Sequence, residues 1–294
     1  MDNIHASIDP ESFTNLPSSW IVATFYKFIT LPDFQLWQDP LRNYCLQHQI
    51  KGTILLAAEG INGTIVGSRE AIDAVFIYLQ EKPELADLSH RESIATFIPF
   101  ERLKVKLKRE IVTLGLPEVN PQDQVGQYVE PQDWNILIQD PSVTVIDTRN
   151  QYEVSIGTFQ GAINPQTRSF RDFPGYVQQQ LSPQENPKVA LFCTGGIRCE
   201  KATALMLQLG FSEVYHLKGG ILNYLQCIPS EQSLWQGECF VFDDRVALQE
   251  GLKKGHYELC RACGHPLSTK DKEHPAYQPN QSCPFCQDET SIPQ

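Results

Sequence analysis

The chain has no apolar run long enough to cross a lipid bilayer, which takes about 20 residues in a helix. Its first residues also lack the basic and then apolar pattern of a secretory signal. Positive charge is scarce, since 24 Lys and Arg stand against 35 Asp and Glu and the net charge is −11. These absences exclude a membrane-spanning helix and a protein that coats nucleic acid generally. We expect a cytoplasmic chain without a membrane partner, in which any RNA would meet a local basic surface.

Motifs for the common redox cofactors are missing as well. The sequence shows no flavin, nicotinamide or haem motif and no iron-type triad of histidines and a carboxylate. Its nine cysteines, an odd number, fit poorly with a secreted disulfide framework. They indicate a reducing compartment and thiols that are reactive or bound to metal. The length of 294 residues is typical of at least two domains.

The most informative stretch is Cys193–Arg198, which reads Cys-Thr-Gly-Gly-Ile-Arg. Residues 189–192 before it predict a buried parallel strand, and residues 199–210 after it predict a helix that ends at a glycine. Cys193 would therefore lie where free amide N–H groups and the helix dipole favour negative charge, so that its thiol ionises readily. The guanidinium of Arg198 adds a permanent positive charge. The alternative is a buried structural cysteine at a glycine turn.

The length of this loop indicates which anion it holds. Four residues separate Cys193 from Arg198, one fewer than in cysteine phosphatases, and so short a loop suits a thiolate or a persulfide better than a phosphate. The backbone N–H groups around the sulfur would come from Thr194, Gly195, Gly196 and Ile197. Cys199 is either a resolving thiol that forms a disulfide with Cys193 or a packing residue, and both interpretations stay open.

The first part of the chain predicts a ferredoxin-like α/β sandwich at residues 20–113, after a flexible leader at residues 1–19. The expected order is strand, helix, hairpin, helix, strand. The predicted segments are strands at 21–28, 52–57, 63–66 and 102–112 and helices at 34–48 and 71–80. An Asn-Gly pair predicts that the hairpin turns through Glu59–Gly63.

Residues 102–108 alternate between basic and apolar side chains, as in a strand with two different faces. We expect Leu103, Val105 and Leu107 to face the core. The opposite face would carry a basic stripe of Arg102, Lys104, Lys106 and Lys108. This stripe is either an RNA-binding surface or a solvated edge strand protected by lysines.

After a linker at residues 114–126, residues 127–236 predict a parallel α/β domain. The functional crevice of such a domain lies at the carboxyl ends of its strands, where Asp147 and Cys193 are both expected. We interpret Asp147, Arg149 and Glu153 as an ion-pair scaffold that supports the loop rather than as catalytic groups.

A loop with Arg168 and Arg171 next to aromatic residues offers a second basic surface. It either grips a nucleotide through phosphate contacts and stacking or packs as a cap over the active loop.

Two Cys-x2-Cys pairs near the end of the chain are separated by 19 residues. They consist of Cys260, Cys263, Cys283 and Cys286. Four thiolates in this pattern suit a closed tetrahedral zinc site, so residues 237–294 predict a Cys-rich module with structural zinc. Two disulfides are the alternative, which a reducing compartment disfavours.

Several of these stretches resemble one family. Cys193–Arg198 and the Asp-x-Arg at residues 147–149 are similar to rhodanese (sulfurtransferase) domains. Together with residues 58–63, 105–112 and 170–174, they resemble the branch of oxygen-dependent tRNA uridine hydroxylases. The resemblance implies hydroxylation of the wobble uridine of tRNA at C5, with molecular oxygen as co-substrate, the anticodon arm as partner, and Cys193 as the reactive residue, acting as a persulfide.

Two other functions stay open at this point. One is a sulfurtransferase that passes persulfide sulfur from a donor such as a cysteine desulfurase to a thiol or a tRNA-thiolation partner. The other is a zinc-containing RNA-binding adaptor without enzymatic activity.

Overall fold

A computed structural model describes residues 19–287, to which every statement below refers. Almost all of the leader predicted at residues 1–19, and the last residues of the module predicted at 237–294, lie outside this range. The described part has the predicted α/β architecture, with a ferredoxin-like domain, a parallel α/β domain and a cysteine-containing region in that order. No helix within it is long and apolar enough to span a membrane.

The N-terminal domain is a sheet with two helices on one face. Its elements are β1 (Trp20–Phe28), α1 (Phe34–Gln47), β2 (Lys51–Ala57), β3 (Gly60–Gly67), α2 (Arg69–Gln80), β4 (His90–Ala95) and β5 (Leu103–Leu107). The sheet order is β4-β1-β3-β2-β5, and only β5 pairs in parallel, with β2. Apolar residues of α1 and α2, including Leu41 and Val75, pack with Ile54 and Ile65 of the sheet. The predicted sandwich is confirmed, but its last strand is β4, which was not predicted from the sequence. The strand predicted at 102–112 is wrong in its length and place, since only β5 forms there, as an added edge strand.

The hairpin between β2 and β3 turns earlier than the sequence predicted. The turn consists of Ala58 and Glu59, while Asn62 and Gly63 lie inside β3. A glycine is needed there because a Cβ at Gly63 would lie 2.6 Å from the ring of Phe25 on β1. The predicted turn through Gly63 is therefore wrong. The Asn-Gly pair lies within a strand, and its glycine leaves room for the ring of Phe25.

The basic strand β5 has the two predicted faces except at its end. Val105 is 7% exposed and belongs to the core, whereas Leu107 is 38% exposed. The expectation that Leu107 faces the core is wrong, because it ends an edge strand that has a neighbour on one side only.

The central domain has a four-stranded parallel sheet in the order β6-β10-β9-β7. Its elements are β6 (Gln127–Val129), α3 (Pro131–Gln139), β7 (Val143–Asp147), α4 (Gln151–Val154), β8 (Gly157–Phe159), α5 (Phe173–Gln180), β9 (Lys188–Phe192), α6 (Ile197–Gln208), β10 (Glu213–Leu217) and α7 (Gly220–Cys227). Side chains of β9 alternate between two cores, with Val189 and Leu191 toward α5 and α6 and Ala190 and Phe192 toward α3 and α7. The predicted parallel domain is confirmed, and α6 begins two residues earlier than predicted.

The last region consists of short strands and one short helix. They are β11 (Trp235–Gly237), β12 (Cys239–Phe240), β13 (Ala247–Leu248), β14 (Glu258–Leu259), β15 (Pro266–Leu267) and α8 (Thr269–Lys272). β11 pairs with β8, β12 with β13, and β14 with β15. Phe240 and Ala247 pack against Tyr152 of the central domain. This region is therefore attached to the central domain by an apolar contact.

A buried cation connects the first two domains. The ammonium of Lys201 on α6 lies 2.8 Å from Glu59 on the β2–β3 turn and 2.6 Å from Glu110, and its side chain is 0% exposed. Glu110 also accepts a hydrogen bond from the N–H group of Leu114. Leu114 and Val119, from the segment predicted as a linker, are buried in the core of the central domain. The segment therefore packs against that domain.

Replacing Lys201 by alanine should destabilise the protein by about 3–5 kcal/mol, because the buried carboxylate of Glu110 and the partly buried carboxylate of Glu59 lose the cation between them. Urea unfolding measures this loss. Lys188→Ala is the matched control, since its amine lies 3.7 Å from Glu213 in a pair that is more than one third exposed. Such surface pairs contribute about 0–1 kcal/mol. Equal losses in the two variants would contradict a structural role for Lys201.

Candidate active site

The three regions meet around a cavity of about 370 Å³. The N-terminal sheet lines one side of it, the loop that follows β9 lines another, and residues after β12 complete it. Cys193 lies in this lining, at the carboxyl end of β9. The cavity has the size of small-molecule sites in proteins, which occupy roughly 300–1,000 Å³.

The backbone around Cys193 brings N–H groups to the sulfur. The N–H group of Gly196 donates a hydrogen bond to the Cys193 sulfur at 3.2 Å. Gly196 has a φ of +101°, a left-handed conformation that favours glycine. A Cβ at this position would also lie 2.9 Å from the hydroxyl of Tyr26. Gly196 is therefore required by both its conformation and its neighbour.

Cys193 and Cys199 are neighbouring buried thiols whose ionisations affect each other, and the Thr148 hydroxyl lies 3.7 Å from the Cys199 sulfur. Burial raises the pKa of Cys193, but the Cys199 side chain, the charge of Arg198 and the N–H groups of Cys199 and Gly196 together lower this pKa to about 6. Burial and the neighbouring thiolate raise the pKa of Cys199 well above its ordinary value. The pair therefore carries its negative charge on Cys193 at neutral pH, while Cys199 keeps its proton.

The guanidinium of Arg198 is anchored by Glu153 at the other side of the loop. Two nitrogens of Arg198 donate to the two carboxylate oxygens of Glu153 at 2.6 and 2.8 Å, and one also donates to the hydroxyl of Thr194 at 3.2 Å. Burial opposes ionisation of Glu153, but the charge of Arg198 holds the pKa of this carboxyl below its usual value. Arg198 thus fixes the loop while its charge favours the thiolate.

Asp147 and Arg149 form a second buried pair beneath the loop. The Arg149 guanidinium donates to the two Asp147 carboxylate oxygens at 2.9 and 2.6 Å, and both side chains are 0% exposed. Arg149 also donates to the carbonyl oxygen of Gly157, which ties β7 to β8. Neither residue lines the cavity. This placement is what an ion-pair scaffold requires.

The structure adds residues that the sequence did not point to. The hydroxyl of Tyr26 on β1 donates to the carboxylate of Glu200 at 2.8 Å. Burial raises the pKa of Glu200, and the negative charge of Cys193 raises it further. Phe242 lines the cavity although it is 63% exposed. Tyr26 and Phe242 are distant from Cys193 in sequence, so no local pattern links them to it.

None of the six basic residues predicted to bind RNA lines the cavity. Arg102, Lys104, Lys106 and Lys108 are all exposed, in β5 or next to it. Arg168 and Arg171 are also exposed, but their aromatic neighbours Phe170 and Phe173 are 6% and 0% exposed. These rings belong to the core, so the idea that this loop stacks on a base is wrong.

The four cysteines of the C-terminal region come together. Their sulfur atoms all lie within 4.8 Å of one another, in the set Cys260, Cys263, Cys283 and Cys286. The sulfurs of Cys260 and Cys286 are 3.8 Å apart and those of Cys263 and Cys283 are 3.6 Å apart, so neither pair is bonded. The cluster has the donors and the spacing to hold a metal ion.

Comparisons with known proteins agree with this architecture. Residues 20–111 match the UPF0176 acylphosphatase-like domain, and residues 130–227 match the rhodanese-like domain. The chain is 60% identical over 267 residues to a tRNA uridine(34) hydroxylase of Picosynechococcus sp., which covers 91% of this chain and 90% of the relative. It is 56% identical over 272 residues to a tRNA uridine(34) hydroxylase of Teredinibacter turnerae, with 92% and 85% covered. The chain therefore belongs to the tRNA uridine(34) hydroxylases, a family of enzymes with a rhodanese domain.

Proposed function

We propose that the chain hydroxylates C5 of the wobble uridine in tRNA, with molecular oxygen as co-substrate. The anticodon arm of tRNA is the partner, and Cys193 is the reactive residue. The observation that carries this proposal is the place of Cys193 in the lining of a cavity that the N-terminal sheet helps to form, where its sulfur accepts a hydrogen bond from the Gly196 N–H group. The names of the two close relatives support the substrate.

An ionised sulfur is a strong nucleophile, and it suits attack on an electron-poor ring carbon. In the proposed reaction, the Cys193 sulfur adds to C6 of uracil, which makes C5 electron-rich enough to react with oxygen. The base has to leave its stack to reach the cavity. When the sulfur leaves C6 again, the N–H groups of residues 194–198 and the charge of Arg198 stabilise it.

Hydroxylation by oxygen also needs two electrons, because the second oxygen atom leaves as water. The contact between Cys193 and Cys199 suits this need, since two thiols release two electrons and two protons when they form a disulfide. In the balanced reaction, one C–H bond, one O2 molecule and two thiols are converted into one C–OH group, one water molecule and one disulfide. A thiol reductant from outside the chain then restores both thiols, so Cys199 acts as the resolving thiol.

The alternative use of the loop is transfer of sulfur. In that case, Cys193 would receive a persulfide from a donor such as a cysteine desulfurase and pass its outer sulfur to an acceptor. Hydroxylation and sulfur transfer leave different products on the tRNA, so product analysis separates them.

We also propose that the described cysteine cluster holds zinc. Four thiolates leave no open coordination position, so the metal would stabilise the fold around Cys260, Cys263, Cys283 and Cys286 and take no part in the reaction. We propose a reducing, cytoplasmic location, which the odd number of nine cysteines supports. The proposed domain boundaries are 20–113, 127–236 and 237–294.

Removing the reactive sulfur should abolish hydroxylation. In an assay with isotopically heavy oxygen and a thiol reductant, the wild type should form hydroxyuridine with one heavy oxygen atom, detected by mass spectrometry of nucleosides. Cys193→Ala should lower product formation by at least about a hundredfold, because the variant can still bind tRNA but has no nucleophile to add to C6. Cys227→Ala, at an exposed cysteine, is the control and should match the wild type. Hydroxyuridine formed by Cys193→Ala would refute the proposal. Thiouridine formed by the wild type in place of hydroxyuridine would also refute it.

Loss of one cluster cysteine should release the metal. Elemental analysis of the purified wild type should find about one zinc ion per chain, the content of a four-thiolate site. Cys260→Ser should lose this zinc and unfold at a lower temperature, whereas Cys227→Ser should retain it. Unchanged zinc in Cys260→Ser would show that the cluster is not the site.

A further inference from the structure

One face of the N-terminal sheet is covered by α1 and α2, and the other forms a wall of the cavity. Side-by-side residues of paired strands point to the same face of a sheet. The strand register therefore defines rows of side chains that cross this wall. One row consists of Arg91, Thr24, Thr64, Thr53 and Lys104, in that order from β4 to β5. The next consists of Tyr26, Asn62, Leu55 and Lys106.

Both rows lead from the cavity to a basic edge. Every member except Lys104 and Lys106 lines the cavity, and these two lysines are exposed on the edge strand β5. Neither row contains a carboxylate. The carboxylates of Glu92 and Asp243 elsewhere in the cavity lining are each paired with an arginine. On a protein with a net charge of −11, this surface attracts an anion that can extend from the edge to the cavity.

An exposed aromatic ring lies at the same cavity. Phe242 is 63% exposed, its ring packs edge-on against Phe240 at 5.2 Å, and the Arg198 guanidinium lies 6.0 Å from its centroid. A ring that is held in place yet open to solvent offers a flat surface for stacking. Single-stranded nucleic acids are bound in this way, by aromatic rings that stack bases and by basic groups that follow the phosphates.

We infer that single-stranded RNA crosses the face of the N-terminal sheet that forms the cavity wall, opposite α1 and α2. Its phosphates lie over Lys104 and Lys106, and the target base enters the cavity and stacks on Phe242. The neutral hydroxyl and amide groups of Thr53, Thr64 and Asn62 lie between the two contacts. The inference rests on the proposed function and names the surface that takes the substrate. The base must leave its stack to reach Cys193, and this costs least when the base lies in a single-stranded loop.

The phosphate contacts are tested by the salt dependence of RNA binding. The probe is a fluorescent anticodon stem-loop RNA with uridine at the wobble position, and its dissociation constant is measured by anisotropy at several salt concentrations. For a single strand, each lost phosphate contact reduces the magnitude of the slope of log binding constant against log salt concentration by about 0.7. The double variant Lys104→Ala/Lys106→Ala should therefore reduce this magnitude by about 1.4. The control is Arg42→Ala/Lys270→Ala, which removes two exposed charges away from this face and should leave the slope unchanged. Equal slopes in the two double variants would overturn the inference.

The stacking contact is tested at Phe242. Phe242→Ala and Phe242→Leu should both weaken binding of the same RNA about tenfold, because each lacks the ring that stacks a base. Phe242→Trp should retain binding. If Phe242→Leu binds like the wild type, the ring does not stack on RNA and this contact is wrong.

These binding assays need no turnover, so they separate the two proposals. If the slopes differ as predicted but the wild type forms no hydroxyuridine, the proposed function is contradicted. The inference about where RNA binds is then still supported. Hydroxyuridine formation together with equal slopes in both double variants would contradict this inference alone.

Discussion

The stabilisation of negative charge on the buried Cys193 sulfur is the constraint on which the site depends. A thiolate that is removed from water loses its solvation, and burial alone would keep Cys193 protonated. The Cys199 side chain, the N–H groups at the start of α6 and the charge of Arg198 replace that solvation. Because Cys199 is itself buried, its own ionisation is suppressed, and the negative charge stays on the sulfur that lines the cavity.

Two further ionic contacts keep this arrangement in place. Glu153 fixes the guanidinium of Arg198, so the short loop has a defined shape before substrate arrives. Lys201, one helical turn farther along α6, holds Glu59 and Glu110 and so brings the N-terminal sheet to the loop. The cavity exists only where these regions meet. Either domain alone would therefore lack a wall of the site.

Features that depend on local sequence could be predicted. The apolar strand before Cys193, the glycines after it and the spacing to Arg198 define the loop, and the two Cys-x2-Cys pairs define the cluster. The alternation in residues 102–108 gave the correct faces of β5 up to its exposed end. These patterns succeed because hydrophobic periodicity and metal-ligand spacing act over a few residues.

Features that depend on contacts between distant residues could not be predicted. Asn62 and Gly63 have the composition of a turn, yet they pair with β1 and β2 inside β3, where the ring of Phe25 leaves no room for a side chain at Gly63. Tyr26 and Phe242 reach the cavity only because three regions pack around it. The sequence suggested that the aromatic residues near Arg168 and Arg171 could stack on a base, but they are buried in the core of the central domain. Tertiary packing overrode a local signal at Asn62 and Gly63 and near Arg168 and Arg171, and it acted without any local signal at Tyr26 and Phe242.

The most direct test of this account is a pH titration of the ultraviolet absorbance of the thiolate, compared between the wild type and Cys193→Ala. The difference between the two proteins reports the ionisation of the coupled pair of Cys193 and Cys199, of which Cys193 loses its proton first. The account predicts a midpoint at about pH 6. A midpoint at about pH 8.5, the value of an ordinary thiol, or no difference between the two proteins, would contradict it.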